Sequence, residues 1–356
     1  MKKIPFFLFF ITLGIIVLFF LTFFPKKSKL LSPISSKITY YPQKPKRSPI
    51  TLSSIFNKLP TDPKQPVKIN PDEYVLIVTG DVIPARSVNW KMTKLNNFRY
   101  PFEKIVEILK SGDLVFINFE APLIPNCPLT VEGMIFCGNP KFIEGLKFAN
   151  IGIANIANNH FENYGVEGTK STINLLEKNN ISVTGNEKKA IKQIKNKKFG
   201  FLGFNFISGG TIAQEEEIKS SILDFKSKVD FLIVMYHWGE EYTQLPNELQ
   251  KKLAYLTIDA GANLVVGNHP HWIQAMEIYN EKPIVYSHGN FIFDQMWSLE
   301  TREGIIGKYV FDSVGVKEIF FYPVIIEDYS QPRFANIIEA KKILDKMKEN
   351  SEKLRF

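Results

Sequence analysis

The chain has 356 residues, 45% of them apolar, and a formal net charge of +8. This length and apolar content predict a globular protein with one large or two small domains. Twelve Lys and Arg stand against two Asp in residues 1–72, so the positive charge lies at the start of the chain and the remainder is close to neutral. The neutral remainder excludes a broad nucleic-acid-binding surface, and the basic segment suits solubility and contact with anionic lipid headgroups.

The first element is an apolar segment, Ile4–Phe24, of 21 residues without a charged side chain. A helix of this length crosses the roughly 30 Å hydrocarbon layer, so residues 1–25 are predicted to form an N-terminal membrane anchor. A cleaved signal peptide fits less well, because its apolar stretch is usually about 7 to 15 residues and ends at a small-residue site. Two Lys before the segment and three shortly after it favour, by a small margin, a cytoplasmic body.

Residues 26–72 are predicted to form a tether rather than a folded domain. The stretch from Pro25 to Pro71 contains nine of the chain's 21 prolines, together with many Ser and Lys. Such a composition buries too little apolar surface to fold on its own. We therefore expect an extended linker that holds the body off the membrane, with a short helix near Ser53–Leu59.

Residues 73–334 alternate between strand-like and helix-period segments, which predicts an α/β fold. The strand-like runs include YVLIVTGDV, DLVFINFE, NIGIANIANNH, DFLIVMYHWG and NLVVGNHPH. Near the end, KYVFDSVGVKEIFFYPVII predicts hairpin-like antiparallel strands. Residues 335–356 are rich in Lys and Glu at helical spacing, which predicts an exposed C-terminal helix.

All five histidines follow directly after the carboxyl end of a predicted strand: His160, His237, His269, His271 and His288. Four further polar residues lie at or near the same strand ends: Asp81, Asn118, Glu120 and Asn159. Binding and catalytic groups gather at this edge of α/β sheets, because the strand ends and their loops converge there. A single histidine in such a place is often structural, but five in equivalent places predict a common site.

Imidazole nitrogens combined with carboxylate and amide oxygens form a ligand set that suits Zn, Mn or Fe rather than Ca or Mg alone. A carboxylate can bridge two such ions about 3.5 to 4 Å apart, which clamp the attacking and leaving oxygens in phosphoester hydrolysis. In the sequence GNHPH, Pro270 stiffens the turn, and both His269 and His271 can face one cleft. The G-x-S-x-G, Walker A and H-E-x-x-H motifs of other enzyme classes are absent.

The two cysteines, Cys127 and Cys137, lie ten residues apart around a turn signal. They could close a small disulfide loop, which would persist only in an oxidising compartment and would place the body outside the cytoplasm. Two unpaired cysteines in the core are the alternative. The disulfide interpretation and the lysine distribution therefore disagree about the side of the membrane.

Several of these segments together resemble the capsule-synthesis CapA family of poly-γ-glutamate biosynthesis proteins. The matching stretches are TGDVIPAR, INFEAPL, IANNHFENYG, YHWGEEY, GANLVVGNHPHWIQAMEIY and IVYSHGNFIFDQ. The resemblance implies an α/β, metallophosphoesterase-like four-layer αββα sandwich of the calcineurin-like superfamily, here preceded by one N-terminal transmembrane helix. It also implies two divalent transition-metal ions, Mn, Zn or Fe, at the loop end of the sheets.

The resemblance also implies a role for each matching residue. The implied metal ligands are Asp81, Glu120 as a bridging carboxylate, Asn159, His237, His269 and His271. In this scheme His237 and His269 complete one ion and His271 the other, while His160 is the acid that protonates the leaving oxygen. Candidates for contacts with the substrate or with the ligands are Arg86, Asn118, Trp238, Glu240, Glu241, His288 and Asn290, although loop-stabilising hydrogen bonds are an alternative role for them.

The chain departs from the wider superfamily at one ligand position. Metallophosphoesterases begin with Asp-x-His, whereas the residue two after Asp81 is Ile83. One imidazole is therefore missing, and His288 could replace it only if the loops bring it near. Without a replacement, the first ion would be held weakly.

The resulting expectation is a membrane-anchored, extracytoplasmic, metal-dependent hydrolase-like protein that acts in capsule or surface-polymer synthesis or export. Its substrate would be a phosphoester, or an amide or ester within a polymer, and its partners would include the membrane and other capsule-synthesis membrane proteins, but no nucleic acid. One alternative is a non-catalytic component that binds the polymer or an export complex. A general surface phosphoesterase on the same fold is another.

Overall fold

A computed structural model of the chain describes residues 48–57, 67–207 and 211–354. The predicted membrane anchor and most of the predicted tether lie outside these residues. Among the described residues, no helix combines the length and apolarity needed to cross a membrane.

The described residues form nine α-helices and fourteen strands. The helices are α1 (Leu52–Phe56), α2 (Ser87–Leu95), α3 (Val106–Lys110), α4 (Ile143–Phe148), α5 (Gly165–Lys178), α6 (Ile212–Lys226), α7 (Glu248–Asp259), α8 (Leu299–Arg302) and α9 (Ile337–Lys353). The strands are β1 (Tyr74–Val82), β2 (Leu114–Phe119), β3 (Ile151–Asn155), β4 (Ser182–Thr184), β5 (Ala190–Ile194), β6 (Lys197–Phe206), β7 (Phe231–Trp238), β8 (Leu264–Asn268), β9 (Met276–Tyr279), β10 (Lys282–Val285), β11 (Asn290–Ile292), β12 (Glu303–Phe311), β13 (Val316–Glu327) and β14 (Gln331–Phe334).

The strands form two mixed sheets. The first has the order β14-β13-β12-β1-β2-β3-β4, and β11 also pairs with β1. Strands β1 to β4 are parallel, whereas β12 to β14 are antiparallel as predicted. The second sheet has the order β5-β6-β7-β8-β10-β9, in which β6, β7, β8 and β10 are parallel. The α/β prediction is thus confirmed as a mixed α/β sandwich with two sheets.

Successive side chains of each strand point to opposite faces of its sheet, and this divides the apolar core into layers. In β1, Leu76 and Val78 contribute to the apolar layer that also contains β7 residues of the second sheet, whereas Val75 and Ile77 pack with the helices α2 to α5. In β7, Ile233 and Met235 belong to the layer between the sheets, and the intervening residues pack beneath α6 and α7. Both sheets therefore bury two faces, which explains their continuously apolar sequences.

Three of the longer helices begin with a capping box, in which the N-cap side chain and the side chain three residues later each accept a backbone N–H. The N-cap residues are Thr211 for α6, Asn247 for α7 and Asn336 for α9. These caps satisfy backbone donors that would otherwise lack partners at the helix start.

Two segments outside the predicted body pack against it. Residues Leu52, Ile55 and Phe56 of α1 are buried in the layer between the sheets, although residues 26–72 were predicted to be tether. Helix α9 was predicted to be exposed, but Ile343 and Met347 are buried in the same layer. Both elements are amphipathic, and their apolar faces cover core that the sheets leave open, so the predicted boundaries at 73 and 334 do not limit the packed body.

Candidate metal centre

The strand ends of the two sheets bring the candidate residues together. Asp81 lies at the end of β1, in register with Asn118 of β2 and with Asn290 of β11. His237 lies at the end of β7, where it continues the alternating series that faces the first sheet, in register with Asn268 of β8. The site therefore forms where the layer between the sheets opens at their carboxyl edge.

The first group of candidate ligands comprises Asp81, Glu120 and His237, whose ligand atoms lie within 4.8 Å of one another. All three side chains are fully buried. Asn118 lies beside them, with its Nδ2 2.8 Å from Asp81 Oδ1 and 3.1 Å from Glu120 Oε2. Asn118 thus orients both carboxylates towards His237.

The second group comprises Glu241, His269 and His271, again with ligand atoms within 4.8 Å of one another. His269 and His271 have φ angles of 96° and 55°, so the GNHPH turn is left-handed on both sides of the proline. This backbone is strained for non-glycine residues, and such strain is typical of functional sites. Glu241, which sequence analysis placed among the residues around the ligands, here shares a group with two histidines.

The two groups adjoin each other. His271 Nδ1 is 3.1 Å from Asp81 Oδ2, and the rings of His237 and His269 have centroids 4.8 Å apart. His271 Nδ1 also faces Asn290 Oδ1 at 2.9 Å, so this nitrogen carries a hydrogen and leaves Nε2 as the ligand atom. The structure groups His269 with His271 and His237 with the two carboxylates, whereas the family resemblance implied that His237 and His269 share one ion and that His271 serves the other.

Burial and charge act together on the acidic members of the site. Burial favours the neutral form of Asp81, but the hydrogen bond and positive charge of His271 outweigh it and lower the pKa of this carboxyl. Burial and the negative charge of Asp81 raise the pKa of Glu120 well above its ordinary value. Two carboxylates forced together in a low-dielectric environment favour the binding of a cation between them.

The histidines divide into two classes. Burial lowers the pKa values of His237 and His269 to about 3, so both are neutral near pH 7 and offer a lone pair to an ion. Burial also opposes the charged form of His271, but the hydrogen bond to Asp81 and its negative charge raise the pKa of His271 to about 9. A metal ion must therefore compete with a proton at His271.

Buried polar atoms without a partner provide a test of whether the residues fit metal ions. Within the described part of the chain, Glu120 Oε1, His269 Nδ1 and both amide atoms of Asn268 are buried without a hydrogen bond. Glu120 Oε1 lies 3.4 Å from His237 Nε2. Such atoms are costly unless a bound ion or water satisfies them. The nitrogen and oxygen donors, their clustering and these unsatisfied atoms fit a transition-metal site.

Asn159 and His160, which follow β3, lie at the exposed side of this cluster. Asn159 Oδ1 is 3.0 Å from His237 Nε2, close to the first group. The partly buried His160 has its Nδ1 3.1 Å from Asn163 Oδ1, and its ring stacks on Phe136 with centroids 4.1 Å apart. Burial lowers the pKa of His160, although the hydrogen bond with Asn163 opposes this effect.

Two residues that sequence analysis did not single out support Asn118. Asn155 Nδ2 and Asn158 Nδ2 donate to Asn118 Oδ1 over 3.1 and 3.3 Å. The amide of Asn118 is thereby fixed with its oxygen towards β3 and its Nδ2 towards Asp81 and Glu120. The Asn-rich stretch NIANNH was the available signal, but the register of β2 and β3 was needed to interpret it.

Arg86 and Asn290 contact the surroundings of the cluster in different ways. Arg86 forms an ion pair with Asp294, and its guanidinium lies 4.9 Å from the ring of Phe136 and 5.0 Å from that of Phe293. Its charge is thus already paired. Asn290 holds His271 through Oδ1 and donates from Nδ2 to the Thr301 carbonyl at 2.8 Å.

Three other predicted residues do not face the cluster. Trp238 lies on the face of β7 opposite to His237, packs beneath the helices, and donates its indole N–H to the Tyr286 carbonyl at 2.9 Å. His288 Nε2 is 2.9 Å from Tyr309 Oη, and burial lowers its pKa to about 4. Glu240 is exposed and, among the described residues, joins neither ligand group.

The position at which the resemblance led us to look for a further histidine is apolar. Ile83 is fully buried in a small cluster with Ala85, Ala121, Phe136 and Phe293. His288 bonds to Tyr309 through Nε2, and neither ligand group of the described residues contains it as a replacement for that imidazole. The first group thus contains one histidine and two carboxylates, with Asn159 nearby.

Cys127 and Cys137 form a disulfide, with Cα atoms 5.8 Å apart. The loop that they close lies beside the candidate metal centre, because Phe136 packs against His160 and Arg86 donates from Nη1 to the Gly133 carbonyl at 3.2 Å. The loop carries four exposed apolar side chains: Leu129, Val131, Met134 and Ile135.

The fold and site define a mixed α/β protein with two adjoining groups of candidate metal ligands at the carboxyl edge of its two sheets. The profile of the bacterial capsule synthesis protein PGA_cap family matches residues 75–295, and the chain belongs to this family. It is 31% identical over 270 residues to the PGA biosynthesis protein CapA of Bacillus subtilis (strain 168), covering 70% of each chain. It is 27% identical over 321 residues to the capsule biosynthesis protein CapA of Bacillus anthracis, covering 82% of this chain and 77% of the relative.

Among solved structures, the chain is similar to a novel phosphatase from Mycoplasma pneumoniae, with 15% identity and a TM-score of 0.48. That similarity covers 74% of this chain and 96% of the phosphatase. A hypothetical protein from Thermus thermophilus has 13% identity and a TM-score of 0.47, covering 70% of this chain and 98% of the other.

Proposed function

We propose that this chain is an accessory protein of capsule or surface-polymer synthesis or export, of the poly-γ-glutamate type, and that its body is a metal-dependent hydrolase. The observation that carries the hydrolase proposal is the contact between the two ligand groups through Asp81 and His271. The names of the two CapA relatives support the polymer-related role. A phosphoester, or an amide or ester within the polymer, is the substrate class proposed.

In this proposal the first ion is held by Asp81, Glu120 and His237 with Asn159, and the second by Glu241, His269 and His271. Bound Zn, Mn or Fe would supply Lewis-acid activation of a water and neutralise charge that develops on the substrate. Asn118 keeps the two carboxylates oriented, and Asn290 keeps His271 oriented. Such supporting contacts typically change metal affinity or activity about 10- to 100-fold when they are lost.

His160 is the proposed proton donor to the leaving oxygen. It lies outside both ligand groups, at the partly exposed rim formed with Phe136 and Asn163. An imidazole in this place can deliver a proton to a group bound at the cluster without giving up a metal contact.

A second candidate function is a non-catalytic component that binds the polymer or a partner membrane protein. Ile83 favours it, because the apolar side chain removes one of the imidazoles that the superfamily uses at the first ion. A site that binds one ion, or none firmly, would be compatible with this function.

The metal content of the full chain in detergent tests both functions. We expect about two transition-metal ions per chain after reconstitution with Mn or Zn, measured by elemental mass spectrometry. The double variant His269→Ala, His271→Ala should lose one or both ions, because it removes two of the three ligands of the second group.

Two neighbouring glutamates provide a matched control for this measurement. Glu241→Gln should lower occupancy of the second site, whereas Glu240→Gln, one residue earlier on the exposed loop, should leave it unchanged. Absence of metal from the unaltered protein after reconstitution would contradict the hydrolase proposal and favour the binding component.

For localisation, we propose a single-pass anchor in residues 1–25 with the body outside the cytoplasm. The support is the uncharged segment Ile4–Phe24 and the Cys127–Cys137 disulfide, since disulfides persist in oxidising compartments. As partners we propose the membrane and other capsule-synthesis membrane proteins, and the near-neutral body gives no reason to propose a nucleic-acid partner.

Cysteine alkylation in isolated membranes tests this placement. After denaturation in detergent, the full chain should take up a maleimide only if it has first been reduced. Without reduction, both cysteines are expected to be joined in the disulfide and therefore unreactive. Reduced samples, which should take up two labels, serve as the control. Labelling of both Cys127 and Cys137 without prior reduction would contradict the extracytoplasmic placement.

A further inference from the structure

Asn163 contacts His160 and the disulfide loop through the same atom. His160 Nδ1 lies 3.1 Å from Asn163 Oδ1, and the backbone N–H of Phe136 donates to that oxygen over 2.7 Å. Asn163 lies three residues after His160, in the turn that precedes α5. Its amide therefore links the histidine to a separate loop of the chain.

The hydrogen bond from Phe136 determines which atom of Asn163 faces His160, and therefore which ring nitrogen of His160 carries a hydrogen. A backbone N–H can only donate, so the Asn163 atom that faces it must be the carbonyl oxygen rather than the NH₂ group. An amide oxygen only accepts, so His160 Nδ1 must carry a hydrogen. In the neutral imidazole, the lone pair then lies on Nε2, and in the protonated ring Nε2 carries the transferable hydrogen.

The disulfide loop determines where the Phe136 N–H lies. Cys137, the residue after Phe136, is bonded to Cys127. The Phe136 ring is held between His160, at 4.1 Å between centroids, and the Arg86 guanidinium, at 4.9 Å. Arg86 also contacts this loop through the Gly133 carbonyl. The N–H that orients Asn163 is thus anchored covalently and by stacking.

We propose that Asn163 is a positioning residue that holds His160 in its Nδ1–H tautomer, and that the loop closed by Cys127 and Cys137 orients Asn163 through the Phe136 N–H. This inference rests on the proposed hydrolytic role of His160. It assigns the proton exchanged with a substrate to Nε2, the ring nitrogen that Asn163 does not engage. Residues that fix the tautomer of a catalytic histidine have large effects on turnover without touching the substrate.

Nitrogen spectroscopy of the histidines tests the tautomer without requiring turnover. The full chain with ¹⁵N-labelled histidine would be compared by long-range ¹H–¹⁵N spectra with Asn163→Asp and Asn163→Leu, and the His160 signals assigned with His160→Gln. Asn163→Asp keeps an acceptor oxygen for both contacts. Asn163→Leu retains the approximate shape of the side chain but removes the acceptor oxygen. We expect the Nδ1–H pattern in the unaltered chain and in Asn163→Asp, and its loss in Asn163→Leu.

Turnover of bis(p-nitrophenyl) phosphate provides the second measurement. We expect kcat to fall about 10- to 100-fold in Asn163→Leu and to be largely recovered in Asn163→Asp, with metal content unchanged in both. Asn163→Ala provides the same comparison if the leucine variant does not fold. An Nε2–H pattern in the unaltered chain, or the Nδ1–H pattern preserved in Asn163→Leu, would overturn the proposal. The expected spectra without hydrolysis in any variant would refute the hydrolytic function and leave the positioning contact supported.

Discussion

A His160→Ala variant is expected to lose about 10²- to 10⁴-fold in kcat towards a phosphodiester while retaining its metal. His160 belongs to neither ligand group, so its removal should not release an ion. It is held by Asn163 and by stacking on Phe136, so that its ring reaches the rim of the cluster in a defined orientation. The measurement is kcat for bis(p-nitrophenyl) phosphate and p-nitrophenyl phosphate, together with metal content.

Glu162 provides a control in the same turn. Its exposed side chain accepts a hydrogen bond from Asn186 Nδ2 at 3.1 Å and takes no part in the cluster, so Glu162→Gln should keep kcat within about twofold. Unchanged turnover in His160→Ala, with folding and metal intact, would contradict the proposed acid. Loss of metal in His160→Ala would instead show that His160 is a ligand.

The convergence of His160, His237, His269 and His271 could be predicted from sequence because it depends only on strand polarity. Apolar runs that end in polar residues place those residues at one edge of a parallel sheet, whatever the details of the loops. The same signal failed for His288, which also follows a strand-like run. Its side chain is buried against Tyr309, and only the local backbone decides which way it faces.

The orientation of Trp238 follows from the alternation of side chains along a strand, and it could have been predicted from the sequence. If His237 faces the first sheet, the next residue of an extended strand must face the helices on the other side. The sequence match to a family segment led instead to the inclusion of Trp238 among the candidates for contacts with the substrate or with the ligands. Local strand geometry predicts its place beneath the helices.

The distinction between Glu240 and Glu241 could not be predicted. Both follow β7 in a loop that turns at Gly239, where φ is 83°. A loop has no regular alternation of side-chain direction, so the sequence does not show which of the two adjacent carboxylates faces the histidines. The support of Asn118 by Asn155 was equally hidden, because it depends on the register between β2 and β3. The second sheet also approaches Asn155 here, through Gly203 of β6.

That contact between the sheets makes Gly203 a position at which one added methyl group should have a large effect on stability. A Cβ at Gly203 would lie 1.8 Å from Asn155 Oδ1, an atom that accepts the Ala157 N–H and belongs to the amide that supports Asn118. Gly203→Ala must therefore displace a buried amide and break its hydrogen bonds. Overpacking and unsatisfied polar groups together should lower the free energy of unfolding by about 3 to 5 kcal/mol.

The same substitution should weaken metal binding about 10- to 100-fold, because Asn118 loses a partner that fixes its amide between Asp81 and Glu120. Urea denaturation of the full chain in detergent and a metal titration measure the two effects. Gly200→Ala, three residues earlier on β6, is the matched control. The three atoms nearest to its Cβ would be side-chain atoms of Val229 and Phe225, at 2.9 to 3.0 Å, so a smaller loss of stability and normal metal binding are expected.

A double variant separates crowding from loss of support. Gly203→Ala combined with Asn155→Ala removes the clash, so part of the stability should return, while Asn118 still lacks the Asn155 partner and metal binding should stay weak. Recovery of metal affinity in the double variant would mean that Asn155 does not position the carboxylates. A Gly203→Ala protein as stable as Gly200→Ala would mean that the two sheets do not approach each other this closely beside the metal centre.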